Sequence, residues 1–163
     1  MPYWACAQLV PQRERLAIHT LGLAGYVTYL PRLRQQCVSR GRRTILTPPL
    51  FPGYLFIQVE LQWHTARWSP GVARLVLDGA APAKVPDAVI AEIKSRERGG
   101  LVELPRRTKF RSGDRVRVLH GPFIGHVGLY EGMKARQRVE VLLAILGGSS
   151  RVTLPKDAVE AAV

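Results

Sequence analysis

The residue types that catalyse reactions or hold metal ions are few and scattered in this sequence. Neither HxxxH nor Cys-His ligand spacing occurs among the four histidines, which are His19, His64, His120 and His126. The twelve acidic residues lack the local pairing of a metal-dependent nuclease, and neither a Gly-Lys-Ser phosphate loop nor a Gly-x-Ser-x-Gly elbow is present. We therefore predict a protein that is not an enzyme, with no catalytic residue, no metal site and no cofactor.

The two cysteines, Cys6 and Cys37, are too few for a disulfide framework and lack the spacing of a zinc site. They favour a reducing compartment. The N-terminus shows no basic and apolar leader, and the apolar stretch Val141 to Leu146 is far too short to span a bilayer. A cytoplasmic protein, monomeric and without membrane contact, is expected.

Basic residues outnumber acidic ones by 24 to 12, which gives a net charge of +12 and a pI near 10.7. Both halves of the chain share the excess. Such a balance favours a polyanionic partner, and nucleic acid is the usual one. A basic protein without a nucleic-acid role remains the alternative.

The first hundred residues mix strand and helix patterns, and the rest is dominated by short β segments. A bend is expected at Pro52 and Gly53, inside an otherwise apolar strand. The predicted elements are strands at Tyr3–Val10, Tyr26–Leu30, Leu50–Val59 and Val72–Leu77, helices at Gln12–Leu21, Trp63–Trp68 and Pro86–Arg96, and an exposed basic arm at Arg32–Arg43.

The C-terminal half predicts a second small domain. Gly99 to Lys109 reads as a flexible basic linker. Strands are then predicted at Arg115–Leu119, Gly125–Tyr130, Gln137–Leu143 and Ser150–Leu154, which together indicate a small β-barrel. The predicted domains are residues 1–98, a linker at 99–109, and a barrel at 110–163.

Two motifs resemble one known family. The stretch GDRVRVLHGPFIGHVGLYEG, Gly113 to Gly132, resembles the KOW motif of NusG-type and some ribosomal proteins, which lies in an SH3-like barrel. The stretches RGRRTILTPPLFPGYLFIQVE, Arg40 to Glu60, and WHTARWSPGVARLV, Trp63 to Val76, resemble the NusG N-terminal domain, called NGN. In the right order they cover nearly the whole chain, and we identify it as resembling the NusG family.

The resemblance implies an α+β fold: an NGN domain, ferredoxin/RNP-like, with an antiparallel sheet flanked by helices, followed by a KOW SH3-like barrel. It implies a transcription elongation/antitermination factor that binds the clamp helices of the largest RNA polymerase subunit and suppresses pausing or termination. The barrel would recruit a small-subunit ribosomal protein or the termination factor Rho. A KOW-containing ribosomal or RNA-binding protein is the alternative.

The resemblance also implies functional residues. Ordinary structural packing is the alternative interpretation for these residues. An aromatic clamp-binding patch would contain Phe51, Tyr54 and Phe56, part of which is expected to be core. The opposite polymerase lobe would be met by Trp63, His64 and Thr65. The plainer interpretation is that the histidine and the tryptophan form a packing pair at a helix start. Partner contacts of the barrel would come from Phe123, Ile145 and Leu146.

A path for non-template DNA is the fourth implied surface, and a solvated basic face is its alternative. It would contain Arg13, Arg15, His19, Arg40, Arg42 and Arg43. The residues Arg40, Gly41, Arg43 and Thr44 are closer to the specialised paralogue RfaH, whereas the KOW half is nearer to general NusG. Since Gln8 to Pro11 depart from the paralogue, recognition of one particular DNA element is not implied.

The sequence of the C-terminal half is compatible with two conformations. The stretch VEVLLAILGG supports either a strand of a free barrel or a helix that masks the aromatic patch, as in RfaH. The glycine-rich β signature before it favours the barrel.

Overall fold

A computed structural model describes residues 1–105, 129 and 133–147. The chain divides into two compact units. The first unit joins Met1–Leu30 to Gly53–Asp87, and the second joins Pro31–Pro52 to the described residues from Ala88 onward. The predicted barrel segments at 115–119 and 150–154, and nearly all of 125–130, lie outside the described residues.

The described residues form ten strands and four helices. In chain order they are β1 (Tyr3–Leu9), α1 (Glu14–Leu23), β2 (Thr28–Tyr29), β3 (Gln35–Ser39), β4 (Arg42–Leu46), β5 (Tyr54–Val59), α2 (His64–Arg67), β6 (Val72–Leu75), β7 (Leu77–Asp78), β8 (Ala81–Pro82), α3 (Asp87–Ser95), β9 (Glu97–Arg98), β10 (Leu101–Val102) and α4 (Ala135–Gly147).

The first unit is built on a four-stranded antiparallel sheet with the order β2-β5-β1-β6. Because successive side chains of a strand point to opposite faces, alternate residues of β1 and β5 share one face. That face is buried together with the apolar side of α1: its core includes Ala5, Ala7, Leu9, Leu55, Ile57, Val59, Ala17 and Leu21. The core thus lies between the sheet and α1.

Gly71, in the turn before β6, lies against the backbone at the start of α1. Its φ is +92°, and a Cβ at this position would lie 2.6 Å from the Ala17 nitrogen. The Val10 N–H donates to the Gly71 carbonyl at 2.9 Å, which ties the turn to the end of β1. Only glycine adopts this positive φ readily and also leaves the space that a Cβ would take from the α1 backbone.

The second unit contains a β-hairpin whose side chains are almost all exposed. Strands β3 and β4 pair in antiparallel register, from Gln35 opposite Leu46 to Ser39 opposite Arg42. Arg40 and Gly41 form the two-residue turn with φ values of +51° and +76°, as a type I′ turn requires. The predicted exposed basic arm is therefore a two-stranded ribbon.

The first part of the predicted linker has regular backbone pairing in the structure. Gly99 and Gly100, both at positive φ, connect β9 to β10. Val102 is buried, and its N–H donates to the Arg32 carbonyl at 2.7 Å. Its own carbonyl accepts from the Arg34 N–H at 2.9 Å, so backbone pairing fixes this segment.

The strand predicted at Gln137–Leu143 is wrong, because these residues belong to α4. Arg138, Leu142 and Leu146 recur every four residues and are buried, as one face of a helix requires. At its start, the Lys134 N–H donates to Gln137 Oε1 at 2.8 Å, one half of a capping box. The α+β class itself is confirmed by the antiparallel sheets and helices.

Other element predictions agree in type and differ at their ends. The bend at Pro52 and Gly53 is present, with Gly53 at φ +85°, and β5 begins only at Tyr54. The helices predicted at Gln12, Trp63 and Pro86 are confirmed as α1, α2 and α3.

Candidate partner-binding and nucleic-acid-binding surfaces

The sheet of the first unit carries aromatic side chains on the face away from α1. The ring of Tyr29 stacks on Phe56 with centroids 6.2 Å apart and meets the edge of Trp4 at 6.4 Å. Such pairs stabilise by about 0.5–1.5 kcal/mol beyond burial. This aromatic cluster of Trp4, Tyr29 and Phe56 therefore gives the sheet a second packed face.

Tyr54 lies on the same face as Phe56 but is only half-buried. In the sheet register Tyr54 is opposite Gln8, and Gln8 is opposite Arg74. We call these three residues, which lie side by side across β5, β1 and β6, the Tyr54 row. Burial raises the pKa of the Tyr54 phenol, with the nearby Cys6 adding to the rise and Arg74 opposing it. The phenol therefore stays protonated and able to donate at neutral pH.

The three predicted clamp-binding aromatics differ in accessibility. Phe56 is only 1% exposed, within the first unit, and Phe51 is 2% exposed, within the second. Tyr54 is the member of the predicted patch that is accessible in this structure. Leu55 points into the core on the other face, as strand alternation predicts.

Trp63, His64 and Thr65 lie at the start of α2. The Trp63 ring is half-buried against the core and stacks on the His64 ring, with centroids 3.9 Å apart. Thr65 and His64 are exposed, and the Thr65 carbonyl accepts from the Ser69 hydroxyl at 3.3 Å. The start of α2 thus exposes the His64 imidazole and the Thr65 side chain to solvent, and the half-buried Trp63 indole packs against the imidazole.

The basic residues expected to follow DNA form two groups, one in each unit. Arg15 and His19 are exposed and four residues apart on α1, where they share a face, and Arg13 is exposed just before the helix. In the second unit Arg40 occupies the tip of the β3–β4 hairpin, with Arg42 and Arg43 beside it. All three hairpin arginines are exposed.

The residues expected to bind a partner of the C-terminal half are placed only in part. Leu146 is buried and Ile145 half-buried, both on α4 rather than on barrel loops. Phe123 lies outside the described residues.

Arg138 on α4 is a buried charge that the sequence patterns did not reveal. It is 3% exposed; its Nε donates to the Leu50 carbonyl at 2.7 Å and its Nη1 to the Met133 carbonyl at 2.8 Å. Burial lowers the pKa of this guanidinium. The helix is thereby bonded to the segment that precedes the sequence Phe-Pro-Gly-Tyr at residues 51–54, which we call the FPGY signature.

Residues 1–105, 129 and 133–147 hold no cluster of three or more His, Cys, Asp or Glu side chains placed to bind a metal ion. Within the same ranges, every helix is too short or too polar to cross a membrane.

Fold and surfaces together define the class: an α+β protein with an antiparallel sheet, a packed aromatic face and exposed basic groups. The family model described as "Transcription termination factor nusG" matches residues 2–94. The chain belongs to the NusG family.

Curated relatives agree with this assignment. The transcription termination/antitermination protein NusG of Thermus thermophilus is 34% identical over 125 residues, covering 70% of this chain and 68% of the relative. The protein of the same name from Staphylococcus carnosus is 27% identical over 139 residues, covering 80% and 75%. A solved structure titled "Domain interaction in Thermotoga maritima NusG" covers 76% of each chain at 21% identity with a TM-score of 0.45, a likeness that adds nothing to the assignment.

Proposed function

We propose that this chain is a transcription elongation/antitermination factor that acts by binding RNA polymerase and has no catalytic step of its own. The proposal is supported by its NusG family membership and by the names of its relatives, which are transcription termination/antitermination proteins. The structural observation that carries it is the half-buried Tyr54 beside a packed aromatic face.

In this proposal residues 1–98 bind the clamp helices of the largest polymerase subunit. An aromatic side chain that keeps part of its ring accessible is a typical anchor for a helix laid on a sheet. Tyr54 serves as that anchor, and Phe56 packs with Tyr29 on the same sheet face. Trp63, His64 and Thr65 would meet the opposite lobe, which favours the closed, elongating polymerase.

The first prediction concerns this anchor. Tyr54→Ala should weaken binding of the full-length chain to core RNA polymerase by about thirtyfold or more, because truncating an anchor costs upward of ~2 kcal/mol. Binding is measured by fluorescence anisotropy of labelled protein titrated with core enzyme, and folding by circular dichroism.

Leu23→Ala is the matched control, since Leu23 is 76% exposed at the end of α1 in the same unit. It removes a comparable apolar side chain away from the Tyr54 row and should leave the affinity unchanged. Equal losses in the two variants would count against an anchor at Tyr54.

The second prediction concerns the basic groups, which we propose to lie along the non-template DNA strand. Reversing Arg40 and Arg42 to glutamate should sharply reduce crosslinking to that strand in elongation complexes, because phosphate contacts depend on positive charge. Lys84→Glu with Lys94→Glu changes the net charge equally and serves as the control. Unchanged crosslinking in the hairpin variant would remove the hairpin from the DNA path.

The C-terminal residues 110–163 would recruit a second machine, through either a small-subunit ribosomal protein or Rho. The competing function is a ribosomal or RNA-binding protein, which predicts tight and strongly salt-dependent binding of the isolated chain to ribosomal RNA. The polymerase function predicts stoichiometric co-purification with core RNA polymerase from a cytoplasmic extract, as a monomer, and weak affinity for free RNA. Measuring both affinities on one preparation separates the two functions.

A further inference from the structure

The Tyr54 row contains two polar residues that the sequence patterns did not mark as functional. Gln8 and Arg74 share the sheet face of Tyr54 because directly opposed residues of antiparallel strands point the same way. The register of β1 against β6 shifts between Gln8 and Leu9. Such an irregularity typically re-aims a neighbouring side chain at a functional edge.

Arg74 is held in place without being neutralised. Its Nε donates to the Gln8 Oε1. The guanidinium is exposed, and within the described part of the chain no carboxylate forms an ion pair with it. Since a guanidinium has five N–H donors, fixing Nε leaves the terminal nitrogens available in a defined plane. A planar pair of donors matches a carboxylate in two-point geometry.

Tyr54 adds an apolar surface and one further donor to this arrangement. Its hydroxyl forms no hydrogen bond with the described residues. The row therefore offers an accessible ring, a phenolic O–H and a guanidinium, with Gln8 between them. Its other side chains add no cation, so it lacks the repeated positive charge that tracks a phosphate backbone.

We propose that the polymerase surface seated on Tyr54 carries an aspartate or glutamate that pairs with Arg74, and that Gln8 is the positioning residue for this contact. The inference rests on the proposed function, because it names the chemistry of the partner at the same surface. A nucleic-acid phosphate at Arg74 is the opposing outcome.

Two variants of the full-length chain test the contact. Arg74→Gln removes the charge from an exposed side chain and should lower the affinity for core polymerase about tenfold, as expected for losing a charge-assisted hydrogen bond. Gln8→Glu keeps Arg74 but supplies a carboxylate within the chain that occupies its guanidinium. It should weaken binding to a similar degree, although a side-chain connection between positions 8 and 74 is kept. A merely structural Arg74 would leave the affinity of Gln8→Glu at the wild-type value.

Salt dependence and crosslinking give the remaining readouts. The affinity of the wild type should fall more steeply between low and high salt than that of Arg74→Gln, because salt screens the ion pair. A photo-crosslinker attached at position 74 should label a polymerase peptide containing Asp or Glu. Labelling of DNA, or equal affinity and salt dependence in wild type and both variants, would overturn the inference.

The two proposals fail in different ways. If the wild type does not bind core polymerase, the proposed function falls and this inference falls with it. If the wild type binds and Tyr54→Ala weakens it while Arg74→Gln and Gln8→Glu do not, the polymerase function stands and the carboxylate contact alone is wrong.

Discussion

Replacing Gly71 by alanine should destabilise the first unit by about 3 kcal/mol, since a strained φ and a steric overlap each cost roughly 1–3 kcal/mol. The new Cβ would lie 2.6 Å from the Ala17 nitrogen and 2.9 Å from both the Ala17 Cα and the Arg13 carbonyl oxygen. All three atoms are backbone, so no flexible side chain can move aside. Relief would require α1 to shift away from the sheet.

Gly79→Ala is the matched control for this substitution. Gly79 also has a positive φ, +65°, in the same unit, but a Cβ added there would meet no atom of the described residues within 4 Å. It should cost only about 1 kcal/mol, the penalty for the left-handed backbone. Guanidinium denaturation followed by tryptophan fluorescence measures both free energies of unfolding. Equal losses would show that the close approach to α1 carries no cost.

Replacing Arg138 by methionine should release α4 from the segment before the FPGY signature. The substitution keeps an apolar stem but deprives the Leu50 and Met133 carbonyls of their guanidinium donors. An unsatisfied buried acceptor costs about 1–3 kcal/mol, so two are enough to undo the attachment of one helix. Amide hydrogen exchange should accelerate by about tenfold or more across 135–147, since that cost raises the population of the detached helix.

Arg136→Met tests the same chemistry on the outer side of α4. The Arg136 side chain is 92% exposed and meets Glu140 in an i,i+4 pair at 3.5 Å. Exposed helix pairs of this kind contribute about 0.3–0.5 kcal/mol, so exchange should change little. Similar exchange in both variants, or strand-type backbone chemical shifts at 137–143, would contradict the helical attachment.

Most strands and helices of the first unit could be predicted from sequence, because each local pattern of apolar and turn residues fits only one type of element. In the strand Tyr3–Leu9, the two-residue period places Ala5 and Ala7 on the core face and Gln8 on the opposite face. The pair Pro52–Gly53 predicts the bend before β5. The stretch around Val141 is different, since its apolar residues satisfy both a two-residue and a four-residue period. The structure has a helix there, and the hydrogen bond from Arg138 to the distant Leu50 carbonyl that holds this helix is not visible in a linear pattern.

Two hairpins of the second unit could not be predicted from sequence, and the reason in each case lies in the residues of the turn and those next to it. The turn of β3–β4 uses Arg40 at positive φ, a conformation seldom adopted by arginine, and its strands bury almost nothing. Gly99–Gly100 is a known hairpin signal, but it is followed by a basic, proline-containing run that is typical of a linker. Of the three residues in the Tyr54 row, the sequence patterns marked only Tyr54 as a candidate. Gln8 and Arg74 could not be linked to it, because their meeting depends on strand register.

The two thiols of this chain differ in reactivity, because one lies in the buried sheet and the other on the exposed β3–β4 hairpin. Cys6 is fully buried in β1, and burial raises the pKa of its thiol, so it reacts poorly with electrophiles. Cys37 is partly accessible on the ribbon, opposite Thr44 and close in sequence to the turn residue Arg40. A maleimide dye would therefore attach selectively at Cys37, and the native sequence already provides a reporter next to the hairpin tip.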